Sequence, residues 1–337
     1  MIKLIAVVLV ACALTANAQT SAAGDDLAGT RPNFGGDPDE ITVGLGLLDI
    51  SEINDREQVF VADIFVMVEW RDPRLALDDD VGAALRTVTL DQIWNRSLTL
   101  VNNRGLDLLL PEVATVDRQG HVTVRQRLAG QLAVDLDLRE FPFDTQRLPI
   151  EIVSYQYSQS EIYFSEESRM VADLDNMSDD TWTYEALEPE LSEFSLHEGD
   201  RGTPMLTFAI MAEREAAYYV YTLALPMTLI LFLAWMTHWL PVDVVPARMG
   251  TASATVFSLI AFGVSFRLTL PKIAYLTVAD RFVLYSTFLV LVSLAIIVLT
   301  IRWANTDRKE AGERLARRAR VAFPLLYGVV VLLTFVA

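Results

Sequence analysis

The sequence predicts a β + α membrane protein, with an N-terminal extracellular antiparallel β-sandwich followed by a four-helix transmembrane bundle. Apolar and polar residues alternate in the first part of the chain, and four long apolar runs occupy the last part. The charge also changes sign, because residues 19–215 hold 39 acidic and 15 basic side chains while residues 216–337 hold 5 and 11. An acidic polar part joined to a basic apolar part is typical of a water-exposed domain attached to a membrane domain.

The composition excludes several classes of function. The chain has 337 residues, a formal net charge of −17, one Cys and three His. The acidic excess argues against a nucleic-acid-binding protein, which needs a basic surface. A single Cys excludes a disulfide framework and a Cys-rich zinc module, and three scattered His argue against a His-based metal site. The chain has no nucleophile elbow, phosphate-binding loop or metal-ligand spacing, so neither an enzyme nor a cofactor is predicted.

Residues 1–18 have the form of a secretory signal peptide. Lys3 precedes a short apolar run, and Ala16-Asn17-Ala18 has the small-residue pattern of a cleavage site. The run is too short to cross a membrane, and a lipoprotein signal at Cys12 is the less favoured alternative. Residues 19–38 contain several small and turn-forming residues and are predicted to be a flexible leader or a short extra element.

Residues 39–214 are predicted to form the sandwich, because their apolar residues recur at every second position. This alternation marks strands with one buried face. Turn-forming pairs such as Gln119-Gly120 separate the strands, and many short strands at this spacing favour a sandwich. The clearest alternating stretches are Ile41–Leu47, Gln58–Trp70, Leu132–Leu138 and Leu206–Ala212.

Residues 215–337 are predicted to form the transmembrane domain. Its spans are residues 216–240, 247–270, 278–303 and 321–336, against the roughly 20 residues needed to cross a bilayer. If the signal peptide places residue 19 outside, four crossings leave both mature termini outside. The seven Lys and Arg of residues 302–320 then lie inside, as the positive-inside rule requires. The predicted location is the bacterial inner membrane, with the β domain on the periplasmic side.

The second span is unusually rich in hydroxyl groups. Polar side chains within a membrane commonly face a bundle interior or a water path, but Ser and Thr also favour close helix packing. A pore lining and a packing role therefore remain equally open on this helix alone. The hydroxyl stripe is Thr251, Thr255, Ser258 and Ser265.

Six motifs in order along the chain resemble those of the pentameric ligand-gated ion channels, the Cys-loop receptor superfamily. The two cysteines that name the family would fall at Val134 and Leu148, and the connection between the third and fourth spans is short. The chain is therefore similar to a prokaryotic member. The motifs are Phe141-Pro142-Phe143-Asp144-Thr145-Gln146, Trp70-Arg71-Asp72, Ile93-Trp94-Asn95 with Leu100-Val101-Asn102-Asn103, Arg214 with Tyr218-Tyr219 and Pro226, Trp239-Leu240-Pro241, and Leu270-Pro271-Lys272 with Tyr275.

The resemblance implies a homopentamer with a pore on the fivefold axis, lined by the second span in the lipid bilayer. In the register set by Pro271, a ring of Phe257 side chains is the expected hydrophobic gate, which closes by dewetting. The hydroxyl stripe lies about 100° away around the helix and competes for this assignment. The expected pore-facing residues are Gly250, Ala254, Phe257, Ala261, Val264, Ser265 and Leu268.

The resemblance also implies a ligand site between neighbouring subunits. Aromatic faces attract ammonium groups, so the expected activator is a small-molecule agonist such as an amine, or protons. Val101 stands where the family usually has an aromatic residue, which leaves the aromatic cage incomplete. The candidates are Phe65, Val101, Tyr155, Tyr157 and Phe194.

Four carboxylates that lie close together in the sequence are weak candidates for a divalent-cation site, since oxygen-rich clusters suit Ca²⁺. A solvated acidic loop is the favoured interpretation, so no metal is predicted. The carboxylates are Asp173, Asp175, Asp179 and Asp180.

Asp55, Asp144 and Arg214 match a family cluster that couples the β domain to the helices through charge-assisted hydrogen bonds.

The sequence does not decide whether the permeant inorganic ion is a cation or an anion. The pore-mouth segment Val245–Gly250 resembles that of an anion channel, whereas the acidic outer domain attracts cations. The alternative function is a membrane-anchored periplasmic sensor without a pore.

Overall fold

A computed structural model of the protein describes residues 27–77, 85–195, 202–268, 270–306 and 308–335. The predicted signal peptide and the first part of the predicted leader lie outside these residues. The described part of the leader, residues 27–38, is tied to the sandwich. Arg31 is buried and forms an ion pair of 2.9 Å with Asp39, and it also donates to the carbonyl oxygens of Gly36 and Asp37.

Within the described residues, thirteen strands form the two sheets of the β domain. They are β1 Asp39–Asn54, β2 Val59–Arg71, β3 Leu85–Thr89, β4 Leu98–Leu100, β5 Asn103–Leu108, β6 Val113–Asp117, β7 His121–Ala133, β8 Thr145–Ser154, β9 Ile162–Phe164, β10 Arg169–Ala172, β11 Trp182–Ala186, β12 Glu190–Phe194 and β13 Thr203–Arg214.

The eight-stranded sheet has the path β10-β1-β2-β7-β6-β3, with β5 beside β7 and β9 beside β1. The five-stranded sheet has the path β11-β13-β8-β4, with β12 beside β13. Most pairs are antiparallel, as predicted, but the short strands β9 and β10 run parallel to β1. Both sheets bury their alternating apolar faces in one core, where Phe60 of β2 and Phe208 of β13 are completely buried.

In the segment after β7, the alternation of buried and exposed side chains continues beyond the end of the strand. Burial alternates through Leu138, as the sequence pattern predicts, but β7 ends at Ala133. Side-chain oxygens then accept the backbone N–H groups: Gln58 Oε1 accepts from Leu136 at 2.8 Å, and Gln146 Oε1 accepts from Asp137 at 3.0 Å. Because buried N–H groups need a partner of some kind, side chains replace the neighbouring strand here.

The turn between β6 and β7 requires glycine. Gly120 has a φ of +81°, and a Cβ added to it would overlap the carbonyl oxygen of Asp72. We expect Gly120→Ala to lower the free energy of unfolding by roughly 1–3 kcal/mol from backbone strain, with the overlap adding to that loss. Thermal unfolding of the purified protein measures the effect.

Gly36→Ala is the matched control, because Gly36 has no positive φ and its added Cβ would meet only an ordinary contact with Asn33. Equal melting temperatures for the two variants would show that the Gly120 conformation carries no strain.

In the part of the chain that the structure describes, four helices follow that are long and apolar enough to cross a membrane. They are α1 Ala217–Trp239, α2 Val245–Arg267, α3 Val278–Ala304 and α4 Lys309–Phe335. Within α1, residues Val220–Ala224 form a π-helical turn just before Pro226. Proline has no N–H to donate to the preceding turn, and a widened turn is a common adjustment beside such a break.

Helix α4 starts earlier than the predicted span, which begins at residue 321. Its first turns carry Arg314, Arg317 and Arg318, all exposed. A Cβ added to Gly312 would lie 3.0 Å from the carbonyl oxygen of Thr300 in α3, so the two helices approach each other closely there. The hydropathy pattern detects only the apolar part of such a helix, whereas the hydrogen-bonded turns continue beyond it. The basic connection is therefore mostly helical.

Candidate functional site

The three residues predicted to couple the domains lie where strands end beside the helices. Asp55 is in the turn between β1 and β2, Asp144 immediately precedes β8, and Arg214 is the last residue of β13. Glu213 of β13 is paired with Thr145 of β8. Because Arg214 follows Glu213 and Asp144 precedes Thr145, this pairing makes Arg214 and Asp144 neighbours. Helix α1 begins at Ala217, so Arg214 joins the strand directly to the first membrane helix.

The Arg214 guanidinium is held between two carboxylates. Its Nε and Nη2 donate to Asp144 at 2.8 and 3.1 Å, and its Nη1 and Nη2 donate to Asp55 at 2.9 and 2.7 Å. The Arg214 side chain is only 2% exposed. Such forked, charge-assisted pairs fix the relative position of both partners.

Aromatic side chains enclose this ion-pair cluster. Phe141 and Tyr219 belong to the motifs quoted above, whereas Trp182 was not predicted from the sequence. The guanidinium carbon of Arg214 lies 4.0 Å from the ring centre of Trp182 and 4.7 Å from that of Phe141. The Tyr219 hydroxyl accepts a hydrogen bond of 3.1 Å from Nη1. Trp182 lies on a different strand, and its sequence neighbourhood carries no signal that would have placed it here.

Burial and pairing act in opposite directions on the acids of the cluster. Burial raises the pKa of Asp55, and the neighbouring Arg214 guanidinium opposes that rise. The two carboxylates keep the pKa of Arg214 above its usual value despite burial. Arg214 therefore stays charged, and Asp55 takes up a proton at a higher pH than an ordinary aspartate does.

The loop of residues 139–144 also holds the start of α3 and lies beside the end of α2. The carbonyl oxygens of Arg139 and Phe141 accept hydrogen bonds of 3.2 Å from Val278 and Ala279, which satisfies N–H groups that a helix start leaves unpaired. The Phe141 ring lies 6.3 Å from that of Phe266 in α2. One loop thus links the Arg214 cluster to two membrane helices.

The predicted pore-facing residues of α2 share one exposed face of the single chain. Phe257 is 72% exposed, and Ala252, Thr255 and Leu259 on the opposite side are buried against the other helices. The exposed positions are Gly250, Ala254, Phe257, Ala261, Val264, Ser265 and Leu268.

The competing hydroxyl stripe does not form one exposed face. Thr255 is buried and donates its hydroxyl hydrogen to the Ala252 carbonyl at 2.8 Å, and Thr251 donates to Ala247 at 2.8 Å. Only Ser258 and Ser265 of the stripe are exposed. Its threonines satisfy their hydrogen bonds within the helix, which favours the packing interpretation for that side of α2.

Arg248 lies in the first turn of α2 but not on the exposed face. Its side chain is completely buried, and none of its three nitrogen atoms has a hydrogen-bond partner within the described residues. His238 is buried close by and pairs through Nε2 with the Ser293 hydroxyl at 2.8 Å. The positive charge in the pore-mouth motif is therefore directed into the bundle.

The predicted ligand residues are distributed over both sheets. Tyr155 is 67% exposed just after β8, and Phe194 ends β12 in the same five-stranded sheet. Phe65 lies on β2 in the other sheet. Tyr157 is engaged elsewhere, because its hydroxyl accepts a 2.8 Å hydrogen bond from Trp94. Val101 is exposed between β4 and β5.

Both parts of the chain match models of one family of ion channels. Residues 28–215 match the neurotransmitter-gated ion-channel ligand binding domain, and residues 223–326 match the neurotransmitter-gated ion-channel transmembrane region. The chain belongs to the pentameric ligand-gated ion channel family. It is also 24% identical over 310 residues to the proton-gated ion channel of Gloeobacter violaceus, an alignment that covers 90% of this chain and 84% of that protein.

These findings confirm several predictions. The chain is a prokaryotic-type pentameric ligand-gated channel, with an extracellular ligand-binding β-sandwich and four membrane spans. Because the family consists of channels, the prediction that the chain is not an enzyme is also confirmed.

Two of the four acidic residues considered as a cation site accept hydrogen bonds from other residues of the chain. Asp179 accepts hydrogen bonds from the N–H groups of Ile53 and Thr181, and Asp173 accepts from the Asn176 side chain. Asp175 and Asp180 are not buried. Across the described ranges, no group of three or more His, Cys, Asp or Glu side chains could hold a metal ion.

Proposed function

We propose that the chain is one subunit of a homopentameric, ligand- or proton-gated ion channel of the bacterial inner membrane. In this proposal α2 lines the pore, a ring of Phe257 closes it, and the β domain controls opening. The observation that carries the proposal is the exposed face of α2, on which Phe257 and the small residues around it stand apart from the intrasubunit contacts.

The assignment of the pore rests on the face of α2 that the other helices of the subunit leave exposed. Phe257 extends a large apolar ring from a face whose neighbouring positions include Ala254 and Ala261. Five such rings around one axis would form the narrowest apolar point, and water leaves constrictions of this kind. Since Arg248 is buried, the acidic outer domain becomes the dominant charge near the pore, and we propose that cations permeate.

The experiment is a recording from the purified, reconstituted protein, combined with a subunit count. We expect fivefold particles and a current that appears on acidification or on addition of an amine. In asymmetric sodium chloride the current should reverse near the sodium equilibrium potential. Particles of another symmetry, or intact pentamers silent to every trigger, would instead support the sensor without a pore.

Coupling is proposed to pass through the Arg214 cluster. Arg214 links Asp55 in the first hairpin and Asp144 before β8 to the start of α1. Phe141 of the same loop contacts the end of α2. A displacement of either sheet would therefore act on α1, on α2 and on the start of α3 through a single buried group of side chains.

Protons are the activator best supported by the residues of this cluster, beside the similarity to a proton-gated channel. Burial, Asp144 and Asp179 raise the pKa of Asp55, Arg214 opposes the rise, and the Tyr219 hydroxyl contacts the same guanidinium. A raised folded-state pKa means that the stabilising contribution of Asp55 is complete below its unfolded pKa. It is lost as the pH rises through the folded pKa.

We expect Asp55→Asn to shift proton activation to higher pH, because a neutral side chain imitates the protonated carboxyl. Currents recorded over stepped acidification measure the shift. Asp135→Asn, a change at an exposed aspartate, should leave the activation curve in place. Superimposable curves for Asp55→Asn and the wild type would show that this proton plays no part in opening.

A further inference from the structure

Gln58, the last residue of the turn between β1 and β2, has an unusual backbone conformation. Its φ is +55°, in the left-handed region that residues with a side chain rarely adopt. Glycine adopts this conformation without steric cost, yet a glutamine occupies the position. Such a conformation persists only where surrounding contacts fix it, and residues of this kind cluster at functional sites.

The side chain and the backbone of Gln58 join the Asp55 turn to the extended segment after β7. Nε2 of Gln58 donates to the carbonyl oxygen of Asp55 at 2.8 Å, and Oε1 accepts from the N–H of Leu136 at 2.8 Å. The carbonyl oxygen of Gln58 accepts from the N–H of Val134 at 3.0 Å. Val134 and Leu136 are buried, where an N–H group without an acceptor is costly.

A second glutamine, Gln146 of β8, holds the next residue of the same segment. Its Oε1 accepts from the N–H of Asp137 at 3.0 Å, and its Nε2 donates to the carbonyl oxygen of Asp137 at 2.8 Å and to the carboxylate of Asp144. Gln146 and Asp144 are each only 2% exposed. Because Leu136 and Asp137 are consecutive, the two glutamines hold one short stretch of backbone between them.

These contacts form a closed chain that includes the Arg214 cluster. Asp55 and Asp144 both pair with Arg214. Gln58 joins the Asp55 turn to the segment after β7, and Gln146 joins that segment to Asp144. The two aspartates are therefore connected twice, once through the guanidinium and once through the glutamines. A loss of contacts at Gln58 releases the Asp55 turn on one side of this closed chain.

We propose that Gln58 is a positioning residue for gating, which presents the Asp55 carboxylate to Arg214. The proposal rests on the coupling role proposed above for the Arg214 cluster. Gln58 acts through Asp55, because the hydrogen bonds of Arg214 go to Asp55, Asp144 and Tyr219. An amide suits this position, since it donates to one backbone group and accepts from another at the same time.

Amide hydrogen exchange of the purified full-length oligomer tests this junction without any current. In Gln58→Ala the N–H of Leu136 loses its acceptor, so we expect its exchange, followed in a peptide covering residues 134–138, to become roughly 10-fold faster. Gln119→Ala is the matched control, because Gln119 is exposed in the turn at the opposite end of the sheet. Exchange at the wild-type rate in Gln58→Ala would overturn the proposal.

Recordings over stepped acidification distinguish positioning from general destabilisation. Gln58→Ala should lower the proton concentration at half-maximal activation roughly 3- to 10-fold, in the same direction as Asp55→Asn, because both weaken the hold of Asp55 on Arg214. In an Asp55→Asn background, Gln58→Ala should add no further shift, since the carboxylate that it positions is gone. Equal shifts in both backgrounds would show independent action and would refute the positioning role.

The two measurements also separate this proposal from the proposed function. A wild-type oligomer that passes no current on acidification contradicts proton gating, and the exchange rate of Leu136 then decides alone whether Gln58 holds the segment.

A glycine variant distinguishes the side chain of Gln58 from its backbone. Gln58→Gly removes the same amide as Gln58→Ala but accepts the positive φ more readily, so its melting temperature should be the higher of the two. The two activation curves should nevertheless coincide. Curves that follow the melting temperatures instead would overturn the proposal, because stability of the fold alone would then explain them. Gln58→Gly also carries the test if Gln58→Ala does not assemble.

Discussion

Arg214→Ala is expected to abolish gated current. The substitution removes a guanidinium that makes four hydrogen bonds to Asp55 and Asp144, and it leaves two carboxylates in a largely buried place. Removing one partner of a buried ion pair costs about 3–5 kcal/mol. The substitution also removes the side-chain contacts that join the β domain to the start of α1. We therefore expect that binding of an agonist or of protons no longer opens the pore.

The measurement has two parts, because loss of current also follows from loss of assembly. Size-exclusion chromatography reports the oligomer, and recordings from the assembled fraction report coupling. Arg147→Ala is the matched control: Arg147 pairs with Glu190 at 2.7 Å on the same sheet, but both side chains are exposed, where an ion pair contributes at most about 1 kcal/mol. Wild-type currents from assembled Arg214→Ala channels would refute the coupling role.

Phe257→Ala is expected to give a channel that conducts at rest. The ring of Phe257 is proposed to exclude water from the pore, and alanine removes most of that apolar obstruction. We expect a several-fold rise in the conductance measured without any activator, with a smaller further increase on activation. Planar-bilayer recordings of resting and activated current from the same preparation measure both quantities.

The control for this variant removes an equally exposed phenylalanine from a different helix. Phe288 of α3 is 69% exposed, against 72% for Phe257, so Phe288→Ala matches the change in surface without touching the proposed pore. If the two variants leak equally, or if Phe257→Ala stays closed at rest, the gate lies elsewhere on α2.

The fold was accessible from the sequence because its two signals are periodic. Alternation along β2 places Phe60 to Trp70 on one buried face, and the apolar runs locate α1 to α3 to within a few residues. The predicted elements differ from the observed ones where the periodicity of apolar residues carries no information. Helix α4 continues through charged turns, and Leu136 is buried in an extended segment whose hydrogen bonds go to side chains rather than to a strand.

The sequence predicted residues of the site only where they belong to a recognisable motif or match the family. The motifs and the family resemblance pointed to Asp55, Asp144 and Arg214, and the structure brings these three side chains together. They carried no signal for Trp182, which meets Arg214 from a separate strand.

The sequence by itself determined the architecture: a β-sandwich before four membrane helices follows from patterns of hydrophobicity, which depend on neighbours along the chain. The family register predicts the side of α2 that carries Phe257, but only the tertiary structure decided that Arg248 turns into the bundle. The physical reason is that a helix of small and apolar residues has no strong amphipathic pattern of its own. Its orientation is set by packing against α1 and α3, which no local stretch of sequence records.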